Sequence, residues 1–226
     1  MIAAPLHFAG ERLVLDPGGA LYWPDEQTLV VADLHLEKGS AAALGGHLLP
    51  PWDTKVTLDR LSALLRRYRP KRLVALGDSF HDARGATRLA AQDQGRLAAI
   101  AEAVECVWVL GNHDPVAPEG LGGLVAAEIA IGRLLFRHQA IADTGSGEVC
   151  GHHHPKAEIP ARGAYVTRPC FVFDGRRLML PALGAYTGGL DVRDPAIAAL
   201  FPHGGKVFLL GRERLFSFGF GRISRP

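Results

Sequence analysis

Three apolar runs, each followed at once by polar residues, constrain the fold of this chain most strongly. They are LVVADLH (residues 29–35), LVALGDSFHD (73–82) and VWVLGNHD (107–114). Segments with helical spacing lie between them, at residues 53–70 and 85–104. Alternating strands and helices are typical of a layered α/β fold. Because ligands of an open α/β sheet bind at the carboxyl ends of its strands, we expect a site along that edge.

From about residue 124 the pattern changes to short extended runs separated by turns. A chain of 226 residues is long enough for one domain with a buried core, and no repeat or long linker divides it. We therefore predict an α/β fold in which two packed sheets form a single domain, residues 1–226. In the last run, RLFSFGF, alternation predicts that Phe216, Phe218 and Phe220 point into the core, with an aromatic, basic tail that binds a DNA strand as the alternative.

The composition is that of an ordinary globular protein and leaves the partner open. Of all residues, 48% are hydrophobic and 21% are charged, and the formal net charge of +2 neither establishes nor excludes a nucleic-acid partner. Three separated cysteines without a CxxC pair argue against a disulfide framework or a zinc ribbon. No signal peptide or membrane helix is recognisable. We expect a protein of the reducing cytoplasm that contacts no membrane, and its oligomeric state stays open.

The polar residues at the strand ends form a set of oxygen and nitrogen donors. Asp33 and His35 are two residues apart, so an extended chain would turn them to one side. The same spacing in GHHH would turn His152 and His154 inward and His153 away. This mixture of donors, without thiolates, suits manganese, iron or zinc, and two ions better than one. The candidate ligands are Asp33, His35, Asp78, Asn112, His138, His152 and His154.

The order DLH, GD, GNHD, H and GHHH resembles the calcineurin-like metallophosphoesterase superfamily. This resemblance implies a two-sheet sandwich in α-β-β-α layers with a two-metal site between its loops. It also implies three sets of ligands: Asp33, His35 and His154 for the first ion, Asn112, His138 and His152 for the second, and Asp78 as the bridge. His113 would be the catalytic histidine, and Asp114 would be the carboxylate that orients it.

Longer blocks cover nearly the whole chain and are more specific than the ligands alone. They are VADLHLEKGSAAALGGHLLPPWDT, LGDSFHD, GNHDP, GHHHPKA and LPALGAYTGGL, and they are similar to the ligase-associated DNA damage response phosphoesterases (PdeM-like). This resemblance implies a manganese-dependent phosphodiesterase, a DNA endonuclease of bacterial DNA repair that is grouped with a helicase and an ATP-dependent DNA ligase. The expected substrate is single-stranded or branched DNA. The expected cofactors are two divalent ions, with manganese first and iron or zinc as alternatives.

The chemistry of such a site is compatible with more than one substrate. Two bridged cations lower the pKa of a shared water, and His113, beside the ligand Asn112, is a candidate to protonate the leaving oxygen. The sequence does not define the pocket, so a phosphatase or phosphodiesterase for nucleotides or other small phosphoesters is an alternative. A second alternative is a non-catalytic scaffold of the same fold, which would be expected to lack ligands that this sequence retains.

Basic residues close in sequence to the metal motifs are candidates to hold phosphates of a DNA strand, with ordinary surface charge as the alternative. They are Arg84, Arg137, Lys156 and Arg162, with Lys38 and Arg88 also near the motifs. The run RRYRPKR (residues 66–72) has a simpler interpretation, because cations are favoured at the C-terminal end of a helix. That helix is predicted to begin with Asp53 as its N-cap and to stop at Pro70.

Overall fold

The first sheet of this computed structural model contains the three apolar runs that end in polar residues. The structure describes residues 1–116, 120–142, 145–161 and 163–221. Within these ranges the sheet has seven strands, β1 (Ala4–Phe8), β2 (Glu11–Leu15), β3 (Leu21–Trp23), β4 (Thr28–Ala32), β5 (Arg72–Leu76), β6 (Glu105–Val109) and β7 (Leu124–Ala126). Strands β1 to β4 pair antiparallel in sequence order, and β4 to β7 pair parallel. The three runs are therefore neighbouring parallel strands.

The second sheet contains the closely spaced strands predicted for the second half of the chain. Its strands are β8 (Glu128–Ile131), β9 (Leu134–Arg137), β10 (Glu148–Cys150), β11 (Lys156–Ala161), β12 (Ala164–Phe173), β13 (Arg177–Met179), β14 (Gly205–Leu210) and β15 (Leu215–Phe220). The order across the sheet is β15-β14-β12-β13-β10-β9-β8, and β11 pairs with β12 outside this path. Strand β10 runs parallel to both β9 and β13, and the other pairs are antiparallel.

Helices cover the outer face of the first sheet and, over a smaller area, that of the second. They are α1 (Lys38–Leu44), α2 (Asp53–Tyr68), α3 (Gly85–Arg88), α4 (Ala91–Ala103) and α5 (Pro195–Ala198). In β4, Leu29 and Val31 lie in one apolar cluster with Leu58 of α2 and Leu97 of α4. Because β4, β5 and β6 are covered on both faces, their sequences are apolar almost throughout.

The main core lies between the two sheets. Val30 and Val74 of the first sheet share it with Phe136 and Phe171 of the second. A further cluster joins the outer face of the second sheet to Ile197 of α5. The predicted α-β-β-α sandwich is therefore confirmed. In the part of the chain that the structure describes, no helix is long and apolar enough to span a membrane.

The helices differ in detail from the sequence prediction. Helix α2 stops as predicted, with Arg69 left-handed (φ 45) just before Pro70. Asp53 is not the N-cap, since Trp52 holds that position, and the Asp53 carboxylate instead accepts the N–H of Gly39 at 2.9 Å. This contact supports the unpredicted helix α1. The single helix expected in residues 85–104 is divided into α3 and α4.

The prediction that the phenylalanines of the last strand fill the core is wrong. Phe216 and Phe218 are 43% and 42% exposed, and Phe220 alone packs, partly buried, against the outer cluster of the second sheet. The reason is the position of β15, which lies at the edge of the sheet. Alternation predicts which side chains share a face but not whether another element covers that face.

Candidate metal centre

Strand ends from both sheets meet at one edge of the sandwich. The residues that follow β4, β5, β6, β9 and β10 include Asp33, Asp78, Asn112, His138 and His152. Hydrogen bonds connect the two sheets there. The ring Nδ1 of His138 lies 2.9 Å from the carbonyl oxygen of Leu76, and the backbone N–H of His152 donates to the Asp33 carboxylate at 3.0 Å. The site predicted at the edge of the first sheet therefore also contains residues from loops of the second sheet.

Asp33, His35 and His154 form what we call the first cluster, with donor atoms all within 4.8 Å of one another. The Nε2 atoms of His35 and His154 are 3.1 Å apart, and Nε2 of His154 is 3.4 Å from Asp33 Oδ1. Asp33 and His35 are almost fully buried, at 0% and 3% exposed. One carboxylate and two imidazoles converging in this way suit a divalent cation.

Asp78, His138 and His152 form the second cluster, under the same 4.8 Å limit. Nε2 of His138 lies 3.4 Å from Asp78 Oδ2 and 3.1 Å from Nδ1 of His152. The side-chain oxygen of Asn112 lies 2.9 Å from the same Nε2. Asn112 itself is exposed, so this cluster is open toward solvent on the side of the amide.

The Asp78 carboxylate lies between the two clusters. Its Oδ2 is 3.7 Å from Nε2 of His35 and 3.4 Å from Nε2 of His138, while Oδ1 accepts the backbone N–H of His113 at 2.9 Å. A Cβ atom at Gly111 would lie 2.1 Å from Asp78 Oδ1, so only glycine permits this approach. A carboxylate in this position can bridge two ions.

Five of the seven candidate ligands share an unusual backbone conformation. The left-handed φ values are 54 for Asp33, 43 for His35, 48 for Asp78, 73 for His152 and 47 for His154. Each such non-glycine residue costs about 1–3 kcal/mol and is typical of functional sites. The prediction that an extended backbone turns residues two positions apart to the same side is therefore wrong. Tight turns after the strands bring Asp33 and His35 together in the first cluster, and they direct His154 to the first cluster and His152 to the second.

Burial and neighbouring charges set the protonation of these imidazoles. Burial and then the charge of His154 lower the pKa of His35 to about 3, and burial and then His138 lower the pKa of His152 to about 4. His138 behaves differently. Burial would lower its pKa, but the hydrogen bond to Asp78 and the charge of Asp33 outweigh burial and raise it to about 9. His35 and His152 are thus neutral and ready to bind a cation at pH 7, whereas His138 must first lose a proton.

His81 is a member of the site that the sequence analysis missed. Its Nδ1 is 3.2 Å from Nδ1 of His35, and its ring stacks on that of His113 with centroids 5.2 Å apart. His35, His81 and His113 also bring their donor nitrogens within 4.8 Å. The available signal was the histidine of LGDSFHD, which lies three residues after Asp78 and follows the same strand end.

The partner of His113 is a backbone carbonyl and not Asp114. Nδ1 of His113 lies 2.8 Å from the carbonyl oxygen of His81, so Nδ1 carries the hydrogen and Nε2 is directed elsewhere. Asp114 is 5% exposed, and its carboxylate accepts backbone N–H groups from Asp78, Gly111 and Phe80 at 3.0 to 3.1 Å. The prediction that Asp114 orients His113 is therefore wrong. This buried carboxylate satisfies the turns that carry the ligands, as a buried polar group must.

The predicted phosphate-binding residues lie in different settings. Arg137 is 8% exposed, and its guanidinium is 2.7 Å from Glu128 and 3.6 Å from Glu148. These two carboxylates are its charged neighbours, and its role in substrate binding stays a prediction. Arg84 is exposed just before α3, and Lys156 is half-buried at the start of β11. Arg162 lies outside the described residues.

This chain is similar to solved structures and to one family model. The crystal structure of the Pseudomonas putida nuclease MPE is similar, with 29% identity, a TM-score of 0.72, and coverage of 95% of this chain and 100% of that one. YfcE, a phosphoesterase from E. coli, shows 16% identity and a TM-score of 0.41, covering 84% and 97%. No curated protein sequence matches significantly. Residues 27–178, more than half of the chain, match the calcineurin-like phosphoesterase family model, so the chain belongs to that family.

Proposed function

We propose that this protein is a phosphodiesterase that cleaves DNA strands internally with the help of two divalent ions. The observation that carries the proposal is the Asp78 carboxylate between the two clusters, within 3.7 Å of a histidine of each. A single-ion site has no need of a shared carboxylate. Two ions about 3.5–4 Å apart are typical of enzymes that displace an alcohol from a phosphoester in line.

The proposed ligands fit such ions. The first cluster would hold one ion, the second cluster with Asn112 would hold the other, and Asp78 would touch both. Bound divalent ions would neutralise the phosphate and make hydroxide available near neutral pH. Carboxylate, amide and imidazole donors without thiolates support manganese, with iron or zinc as alternatives.

His113 is the proposed catalytic histidine. With its Nδ1–H donated to the carbonyl of His81, a protonated His113 would still present Nε2–H to the leaving oxygen of the substrate. The ring is exposed and its centroid lies 5.1 Å from that of His35, so it can reach a phosphoester beside the first cluster. His81 holds the ring through both the carbonyl and the stacked imidazole, which makes it a positioning residue.

DNA as substrate is supported by the similarity to a nuclease over nearly the whole chain and by the motif blocks. We extend the proposal to single-stranded or branched DNA in bacterial DNA repair, beside a helicase and an ATP-dependent ligase, as in the PdeM-like family. Cys106, Cys150 and Cys170 are free thiols, which supports a reducing cytoplasm. Since strands from both halves share the main core, we also propose that residues 1–226 form one domain.

In the test, the purified protein is incubated with manganese and, in parallel, with each of three substrates. They are bis(p-nitrophenyl) phosphate, p-nitrophenyl phosphate and circular single-stranded DNA. We expect cleavage of the circle and preference for the diester over the monoester, both lost in Asp78→Asn. Preference for the monoester with the circle intact would favour the small-phosphoester alternative. Bound ions without any hydrolysis would favour the scaffold.

A further inference from the structure

The segment from Leu183 to Leu190 is hydrogen-bonded to both loops that carry the first cluster. At its start, the N–H of Gly184 donates to the carbonyl of Asp33 at 3.0 Å, and at its end, the N–H of Leu190 donates to the carbonyl of His153 at 3.3 Å. Although this segment is far from the ligands in sequence, it lies at the rim of the first cluster.

Two glycines bring this segment into close contact with the same loops. A Cβ atom at Gly184 would lie 2.4 Å from the carbonyl oxygen of Leu34, and one at Gly189 would lie 2.2 Å from that of His154. Neither position has room for a side chain. The segment is thus fitted against the backbone of the metal centre at both ends, and its middle lies between these two contacts.

Tyr186 occupies that middle and is held in a strained conformation. Its φ is 58, a left-handed value that is a genuine outlier for a bulky residue, and its side chain is 44% exposed. Hydrogen bonds fix the backbone on either side, from the N–H of Ala185 to Thr57 Oγ1 at 2.9 Å and from Thr187 Oγ1 to the carbonyl of Gly184 at 3.1 Å. The surroundings thus impose strain on a residue whose ring faces solvent, a pattern found at ligand clamps.

Two lysines provide positive charge on the same side of the site. The position of a Cβ at Gly189 lies 3.0 Å from Cε of Lys156, so this lysine lies against the Tyr186 segment. Lys38 begins α1, three residues after His35. Lys156 in turn lies two residues after His154, so each lysine directly follows a loop that carries a ligand of the first cluster.

We propose that Tyr186 stacks on the base of a nucleotide next to the scissile phosphate, while Lys38 and Lys156 neutralise a neighbouring phosphate of the same strand. This inference rests on the proposed function, because a small phosphoester would supply neither a second phosphate nor an adjoining base. Aromatic stacking tolerates every base, so the contact would provide affinity for a strand without sequence preference. A fixed backbone limits the ordering that the ring undergoes on binding.

The test replaces Tyr186 with residues that its backbone accepts. Asparagine tolerates the left-handed conformation better than other non-glycine residues, so Tyr186→Asn removes the ring with the least strain, and Tyr186→Phe keeps the ring without the hydroxyl. Phe218→Thr, on the edge strand β15, is the control for loss of an equally exposed aromatic side chain. Affinity is measured by fluorescence anisotropy with a phosphorothioate oligonucleotide, which resists hydrolysis, alongside kcat and KM on the natural strand.

We expect Tyr186→Asn to weaken binding by about 5- to 150-fold, the range for loss of one stacked base, and to raise KM more than it lowers kcat. Tyr186→Phe and Phe218→Thr should bind like wild type. An abasic oligonucleotide adds a second arm that needs no variant. Removing one base should weaken wild-type binding by a similar factor and should not further weaken Tyr186→Asn at that position.

Wild-type affinity in Tyr186→Asn, or an abasic effect that is equal in both proteins at every position, would overturn the inference. These results differ from failure of the proposed function, in which wild-type protein would leave the DNA intact. Unfolding temperatures of all variants show whether asparagine disturbs the loop, and the abasic arm in wild type remains decisive if it does.

Discussion

The two clusters of the metal centre are buried to a similar degree, each with two buried donors and one half-buried donor, but their surroundings differ. Beside the first, the segment Leu183 to Leu190 is hydrogen-bonded to the carbonyls of Asp33 and His153. Beside the second, the exposed Asn112 contributes an uncharged amide oxygen. One half of the site is therefore built to retain an ion, and the other half combines weaker ligation with access from solvent. We expect two ions of unequal affinity.

The strongest test of the comparison removes the group that the two clusters share. In Asp78→Asn the amide oxygen can still accept the N–H of His113, which preserves the turn, but the bridging charge is lost. We expect both ions to bind more weakly and turnover to fall by about 10³-fold or more, since charge stabilisation is usually the largest catalytic contribution. Metal content by mass spectrometry and kcat/KM measure this. Two retained ions with wild-type turnover would show that Asp78 is not the bridge.

His113→Ala separates chemistry from ion binding. We expect both ions to remain and DNA cleavage to fall by about 10²–10⁴-fold, the range for loss of general acid catalysis. A nitrophenyl diester should lose less, because its leaving phenol is acidic and needs little proton transfer. Equal losses on both substrates would mean that His113 orients the phosphate. Loss of an ion would instead identify His113 as a ligand. Its ring nitrogens lie close to those of His35 and His81, so this outcome is also tested.

The comparison also predicts a pH dependence. The pKa of His138, raised to about 9, means that a cation must displace a proton from the second cluster throughout the neutral range. Below that pKa the affinity of the second ion should rise by about tenfold per pH unit, because one proton is released. His35 should add no such slope to the first ion in this range, since its pKa is about 3. Titration calorimetry between pH 6 and 8 would detect it, and equal slopes for both ions would contradict it.

Asp114→Asn tests the structural role of the buried carboxylate. Its Oδ1 accepts two N–H groups and its Oδ2 accepts the N–H of Phe80, so an amide nitrogen at the Oδ2 position would face another donor. Such a conflict costs about 1–3 kcal/mol of unfolding free energy. We expect that loss in urea denaturation, together with an unchanged pH profile of cleavage. A shifted profile at wild-type stability would instead support an orienting role toward His113.

The fold and most of the donor set could be predicted because both depend on local patterns. An apolar run that ends in Asp33 or Asp78 reads as a buried strand with a polar end, whatever surrounds it. The features that could not be predicted depend on contacts between segments that are distant in sequence. Nothing local distinguishes Asp114, which binds backbone, from Asp78, and the importance of Tyr186 follows from hydrogen bonds to loops more than thirty residues away in sequence. The exposure of Phe218 likewise follows from the edge position of β15.

The smallest effect is expected for the middle histidine of the triplet. His153 contacts the ring of His152, with centroids 4.7 Å apart, but among the described residues it belongs to neither cluster. Its carbonyl accepts the N–H of Leu190, and alanine keeps that backbone contact. We therefore expect His153→Ala to retain both ions and to cleave DNA within about threefold of wild type, whereas His152→Ala and His154→Ala each weaken one ion. Parallel measurement of the three variants provides the matched control. A loss in His153→Ala as large as in its neighbours would mean that the triplet binds through a residue other than those proposed.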